Sequence, residues 1–405
     1  MAEDKINVAH FTAFLPKACG IATYAYALRK VIKDKYPEIN DFVIAIDDNN
    51  DGYKYSHIVK YHFNDKDLNG YKKAAEIINN SDANLVDVQH EFGLYGAKVN
   101  PETLGKNDGE NFLVFLHKIK KPVITTLHMV YKNPVPHHIE VVKKICDHSS
   151  KIVVLAEVAK SLLVKKYNIS AEKIVVIPHG APNVPMYSTN FFKEMMGFKK
   201  DEIIISTFGL IRPKKGYEYL IEAMPEIIKK YPKAKLLIIG RYHPQRAPEY
   251  YQMLKDKVKE LKLNHNVKFV NKFVDYSELL NYLMATNVFV APFLVLDQVS
   301  SGTLIYAMAA GRACISTPFD YAKEALADHR GLFIQPKNSR QIAKAVIFLI
   351  EHPKARHRIQ NSAYRYARKQ IWSKCARGYF NLYEEMTREE KKKKLEKKTD
   401  KQALQ

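Results

Sequence analysis

Short apolar runs alternate with longer amphipathic stretches along almost the whole chain. Apolar runs at 6–11, 42–46, 58–61, 85–89, 122–127, 151–155 and 173–177 predict strands. Between most of them lie helix-period stretches at 21–33, 68–79, 111–119, 137–147 and 158–167. Strands alternating with helices predict a parallel sheet covered on both faces. The segment 178–185, PHGAPNVP, interrupts the alternation, and its proline and glycine content marks a hinge between domains. The pattern then restarts. Strands are expected at 203–208, 235–239, 267–269, 287–291 and from Cys314 to Thr317, with helices at 216–230, 248–261, 277–284, 339–351 and 354–369. A last amphipathic helix is expected over about 373–387. The chain thus reads as α/β, with two Rossmann-like domains in series whose strand ends face a cleft.

The second half is organised around 291–319, APFLVLDQVSSGTLIYAMAAGRACISTPF, which reads as strand end, loop, helix and strand. Pro292 stops the first strand, and Ser300 or Ser301 is a natural N-cap for a helix beginning near Gly302. Free N–H groups and the positive end of a helix dipole make such a loop an anion site. The same pattern also describes an ordinary capped crossover. Earlier in the same half, FGLIRPKKG places Arg212, Lys214 and Lys215 in a turn before a helix. These cations read as a diphosphate clamp or as a solvated basic turn. The first half opens with strand, glycine-bearing loop PKACG and helix, without G-x-G-x-x-G, which argues against nicotinamide or flavin.

Composition narrows the classes. The 405 residues, 46% hydrophobic and 26% charged, fit two globular domains with no bilayer-spanning run. Four scattered cysteines without a CxxC pair argue against zinc and disulfides, and fit a reducing cytosol. The polar start shows no signal peptide, so a cytoplasmic protein is expected. A formal net charge of +21 attracts anions, yet no nucleic-acid-binding signature accompanies it. Part of the charge is a basic tail, 388–405, read as solvated and frayed. The segment Phe112-Leu113-Val114-Phe115-Leu116 with Lys118, Lys120 and Lys121 reads as a buried helix, or as a membrane-surface contact at the inner face.

FGLIRPKKGYEYLIEAMPEI, AKLLIIGRY, ATNVFVAPF and LIYAMAAGRACISTPFDYAKEAL resemble retaining glycosyltransferases of family 4, which have the GT-B fold. FTAFLPKACGIATYAYAL, LVDVQHEFGLYG and PVITTLHMV agree with it in the first half. The resemblance implies an acceptor domain at 1–182, a nucleotide-sugar domain at 183–370, and a helix at 371–387 crossing back to the first domain. It implies that Lys215 holds phosphate, with Arg212 standing near the family arginine's usual place, here Leu210. Where the family has two glutamates, this chain has Gln298 and Tyr306, which leave hydrogen bonds to sugar and ribose but no carboxylate. Glu324 and His128 match family positions lining the donor sugar, and Phe273 lies where the base is received. Ser300, Ser301, Gly302 and Thr303 complete the donor set, Gly20 permits close approach of backbone, and His90 and Glu91 are acceptor-side candidates.

The reaction implied is transfer of a sugar from a nucleotide-diphosphate donor to a hydroxyl acceptor, which is a glycan, a lipid-linked group or a small molecule. It would proceed with retention, with neither metal nor cofactor, and with His128, Arg212, Lys215 and Glu324 as the catalytic set. The rivals are a glycoside phosphorylase or sugar-nucleotide epimerase on the same fold, and a non-catalytic sugar-nucleotide-binding protein.

Overall fold

The computed structural model describes residues 5–48, 53–96, 109–242 and 248–403. The chain divides into two compact units, Met1–Gly180 with Trp372–Gln405, and Ala181–Ile371.

The first unit is built on β1 (Asn7–Thr12), β2 (Asn40–Asp47), β3 (Val59–Asn64), β4 (Leu85–His90), β5 (Val123–Leu127), β6 (Lys151–Val154) and β7 (Ile174–Val176). All pair in parallel, in the order β3-β2-β1-β4-β5-β6-β7. The strand order reverses between β1 and β4, so the loops after these two strands diverge at a topological switch point. β4 is buried along its whole length, as expected of a strand covered on both faces.

The second unit carries β8 (Ile203–Phe208), β9 (Ala234–Ile239), β10 (Val267–Val270), β11 (Val288–Ala291), β12 (Ala313–Ser316) and β13 (Leu332–Phe333). They form a parallel sheet in the order β10-β9-β8-β11-β12-β13, with its switch point between β8 and β11. β13 is only two residues long and has no legible sequence pattern; its register on β12 defines it. The seven-residue helix Thr189–Met195 was also not expected. The hydroxyl of Ser188 accepts from the Asn190 N–H and starts it. Arg312 is buried and donates to the carbonyls of Met284, Thr286, Ala310 and Tyr187, tying the start of β11, β12 and the residues just before the helix Thr189–Met195 together.

Of the two readings of 112–116 the buried helix holds, while the expected end of the closing helix changes. The segment considered for membrane contact forms the helix Asn111–Lys118, and its Phe112, Leu113, Phe115 and Leu116 side chains are buried. Phe115 stacks on Phe11 of β1 at 4.1 Å between ring centres. That apolar face is spent in the core and has nothing left to offer a lipid surface. Among the described residues, no helix is long and apolar enough to cross a membrane.

The closing helix runs without a break from Trp372 to Ala403, well past the expected end near residue 387. Residues 388–403 of the supposed frayed tail are therefore helical, and 404–405 lie outside the described residues. Glu, Lys and Arg are good helix formers, and pairs such as Arg388 with Glu384, one turn apart, add to this.

Candidate functional site

The loops that matter in the second unit follow β8 and β11, the two strands flanking its switch point. After β8 the backbone turns sharply at Gly209, φ 135°, and a Cβ built there would lie 3.6 Å from the Thr303 methyl. The loops carrying Arg212–Lys215 and Ser300–Thr303 are thus brought side by side. Gly216 then opens the helix Tyr217–Lys230 with φ 69°, and a Cβ on it would fall 2.0 Å from the Pro292 carbonyl oxygen. Any side chain at 216 would push the Lys215 loop off the end of β11. The Leu294 N–H donating to the Lys214 carbonyl, 2.9 Å, closes the same seam.

This packing fixes Lys215. Its Nζ lies 3.7 Å from the centre of the Phe293 ring. Burial, with the neighbouring Arg212 adding to it, lowers its pKa from 10.5 to about 7. Arg212 and Lys214 are exposed on the same turn. Lys215 itself is half-buried, so the site holds a partly desolvated amine resting on an aromatic face, an arrangement that favours an incoming anion.

The loop after β11 is held from behind. The Asp320 N–H donates to the Leu296 carbonyl and the Tyr321 N–H to the Gln298 carbonyl. The Gln298 side-chain amide donates to the Ser300 carbonyl at 2.6 Å, within its own loop. Ser301 is the N-cap of the helix Gly302–Ala309. Its hydroxyl accepts from the Leu304 N–H and meets the Thr303 hydroxyl at 3.0 Å. Ser301→Ala is expected to cost about 1 kcal/mol of stability, read as a lower midpoint in denaturant.

Tyr306 is mostly buried, with Phe208 at 6.3 Å and Tyr276 at 6.1 Å. Glu324 is half-buried near the end of the helix Asp320–Ala325, close enough to Tyr321 and Tyr366 to raise the pKa of both phenols further, beyond the larger effect of burial. Phe273 is exposed after β10, the outer strand on the far side of β9.

In the first unit the loop after β1 reaches Cys19, whose sulfur accepts from the Ala22 N–H at 3.4 Å as the helix Gly20–Lys35 begins. Gly20 is exposed, and a Cβ there would meet no atom within 4 Å. Burial raises the Cys19 pKa, while Lys17 and Glu91 act on the thiol with opposite signs. Charged side chains following β1 and β4 thus both lie close to this thiol at the unit's switch point.

His90 does not face that space. It is fully buried, stacked on Tyr95 at 5.0 Å and flanked by Phe92 and Phe112, and burial holds its pKa at about 3. It packs as a core side chain, although neither ring nitrogen has a partner among the described residues. His128, just after β5, is 7% exposed, and its Nε2 lies 2.9 Å from the Gln89 Oε1. The Tyr24 ring meets it edge-on at 4.8 Å.

Sequence reading did not single out Phe293 beneath Lys215, nor Asp87 and Gln89 behind His128. Asp87 and Gln89 lie two apart on β4, so their side chains share one face of the sheet. A polar pair at that spacing in an otherwise apolar strand is the signal that was there to be read. Among the described residues, no group of three or more His, Cys, Asp or Glu side chains is placed to hold a metal ion.

Comparison with known proteins agrees with this layout. An uncharacterised glycosyltransferase of Methanocaldococcus jannaschii is 26% identical over 243 residues, 58% of this chain and 60% of that protein. The alignment thus spans about three-fifths of that relative's length. Sucrose-phosphate synthase from Thermosynechococcus elongatus superposes with a TM-score of 0.74 at 17% identity, over 94% of this chain and 99% of the other. Anabaena HepE, solved with UDP and glucose, gives 0.68 at 15% identity, over 92% and 98%. These likenesses establish the GT-B kind of fold, two Rossmann-like parallel-sheet domains. Residues 188–366, nearly all of the second unit and the whole of the loop pair just described, match the family Glycosyl transferases group 1.

Proposed function

We propose that this protein is a glycosyltransferase that moves a hexose from a nucleotide-diphosphate sugar to a hydroxyl acceptor, with retention of anomeric configuration and without a metal. The observation that carries this reading is the juxtaposition at the second unit's switch point. Lys215, desolvated over Phe293, sits on a loop packed against the capped N-terminus of the helix Gly302–Ala309. A diphosphate there receives positive charge from Lys215 and Arg212 and hydrogen bonds from the amides of Ser300, Ser301, Gly302 and Thr303. The same groups stabilise the charge that builds on the leaving nucleoside diphosphate, so the clamp acts most strongly as the glycosidic bond breaks.

Gln298 and Tyr306 supply neutral hydrogen bonds to sugar and ribose in the places where a carboxylate is usual in the resembling family. Phe273 offers a face to the base, and Glu324 lies toward the sugar. His128 orients the transferred sugar, Gly20 lets backbone approach it, and Glu91 serves the acceptor side; His90 supports that end from the core. The acceptor proton leaves with the phosphate oxygen of the departing group, which makes a separate general base unnecessary. HepE's complex with UDP and glucose supports a nucleotide-sugar donor.

A thermal-shift screen of UDP, GDP and ADP with their sugars identifies the donor, and transfer is then followed by release of the nucleoside diphosphate in the presence and absence of chelator. Release that stops in chelator removes the metal-free clamp. Release of sugar phosphate only when free phosphate is supplied makes the protein a phosphorylase instead. Gly20→Ala separates ligand contact from folding. Since a Cβ at that position meets no protein atom within 4 Å, its melting temperature is expected to stay at the wild-type value, while transfer falls by about 10-fold or more through steric exclusion of substrate. Unchanged transfer removes Gly20 from the site.

A further inference from the structure

The loops around Lys215 are flanked by aromatic rings on the side of β8. The helix Gly302–Ala309 turns one face to the end of that strand. A Cβ on Gly209 would lie 3.6 Å from the Thr303 methyl, and one turn further along the helix the Tyr306 ring lies 6.3 Å from Phe208, the last residue of β8. Tyr276, the first residue of the helix Tyr276–Ala285 after β10, meets the Tyr306 ring edge-on at 6.1 Å. Tyr306 is 6% exposed and Tyr276 44%. The two carboxylates that flank Tyr276 are engaged close by. Asp275 accepts from the Ser277 hydroxyl at 2.8 Å and from the Glu278 N–H at 2.9 Å, and Glu278 pairs with Lys272 at 2.8 Å. Glu324 lies the other way, on the helix after β12, beyond β11 from β8.

On the reading above, a donor with its phosphates on Lys215 and the 300–303 amides lays its ribose against Tyr306. A ribose carries a neighbouring pair of hydroxyls, and a carboxylate spans both. The 2′-deoxy analogue then leaves part of a buried charge unpaired and binds about 100-fold more weakly, or worse. A phenol carries one hydroxyl, whatever its other neighbours, and the rest of it is apolar ring. It can meet one hydroxyl of the pair, and the neutral hydrogen bond it makes is worth about 10-fold at most. The rings of Phe208, Tyr276 and Tyr306 also give a CH2 group an apolar surface to rest on. We infer that the donor site accepts 2′-deoxyribonucleoside diphosphate sugars nearly as readily as their ribonucleoside counterparts, with Tyr306 as the specificity-determining residue. That a nucleotide lies here rests on the reading above; the tolerance of a missing 2′-hydroxyl follows from the phenol and its aromatic neighbours.

The test is titration calorimetry of the full chain with matched pairs: UDP and 2′-deoxy-UDP, GDP and 2′-deoxy-GDP, ADP and 2′-deoxy-ADP. For whichever base binds, the Kd of the deoxy member is expected to lie within about 10-fold of its ribo partner. Tyr306→Phe keeps the ring and its packing and removes only the hydroxyl. It is expected to bring the ratio of the two Kd values to about 1, since no phenol is left to read the sugar. Reduced folding stability cannot imitate this result, because it acts on both members of a pair alike.

A deoxy member that binds wild type more than about 10-fold more weakly than its ribo partner overturns the inference and leaves the nucleotide-sugar reading in place. A ratio that stays above about 3 in Tyr306→Phe shows that another group reads the 2′-hydroxyl, and overturns the role of Tyr306. If no member of any pair binds, the nucleotide reading itself fails and the inference falls with it.

Discussion

Lys215→Met is expected to weaken binding of the nucleoside diphosphate by about 100-fold, the loss of a desolvated charge contact being worth about 3 kcal/mol, and at the same time to raise the melting temperature of the ligand-free protein. The two effects have one cause. Burial of Lys215, with Arg212 beside it, lowers its pKa from 10.5 to about 7, so the folded chain holds its proton less well than the unfolded chain. Between about pH 7 and 10.5 the unfolded state binds more protons, and stability at this position rises with pH. Below pH 7 the penalty for folding around the charge is fully present. The stabilisation by methionine should therefore be largest near pH 6 and should vanish above pH 10.5.

Ligand binding has the opposite dependence. A diphosphate favours the charged amine, so wild-type affinity should fall as pH rises through 7, and binding at pH 8 should take up a proton. Calorimetry in buffers of different ionisation enthalpy measures that uptake directly. A methionine variant that binds UDP and GDP like wild type, or melts lower at pH 6, would remove Lys215 from the anion site.

The alternation of apolar runs and helix-period stretches was enough to place the strands and to show two sheets, because parallel strands covered on both faces are continuous apolar runs. Loops at strand ends could be picked out for the same reason: Arg212, Lys215 and the 300–303 segment interrupt apolar pattern with charge and small polar residues. What the pattern did not show depends on contacts distant in sequence. Phe293 beneath Lys215 looks like one more apolar residue after β11 until Gly216 packs on Pro292. His90 and His128 both follow a strand-end motif with polar neighbours, yet aromatic side chains from residues 92, 95 and 112 close over one and Gln89 supports the other. The end of the closing helix was misjudged because a run of lysines reads as frayed, whereas a helix already anchored by its first turns continues through good helix formers at little cost.

That anchoring makes truncation the second large effect. Ending the chain at Ile371 is expected to leave the first unit unfolded or insoluble, whereas ending it at Thr387 should leave the melting temperature close to wild type. Trp372, Tyr379, Leu382, Tyr383 and Met386 are all buried, and residue 387 is the last buried position of the helix among those described. At about 2 kcal/mol for each buried side chain, removing the five withdraws on the order of 10 kcal/mol, comparable with the whole stability of a domain.

The polar losses add to this. The Tyr379 hydroxyl is shared with Thr126 at 2.7 Å and Tyr24 at 3.2 Å, and the Tyr383 hydroxyl donates to Asp87. Without them, buried hydroxyls and one carboxylate oxygen lose partners in the interior. Trp372 also fills the space beside Gly180, where a Cβ would come within 2.0 Å of the indole. Tyr383→Phe isolates one link: it keeps the ring and removes only the donor to Asp87, so it should fold, melt a few degrees lower, and loosen the hold of Asp87 on Gln89. Soluble, cooperatively folding protein ending at Ile371 would show that the first unit does not depend on the closing helix.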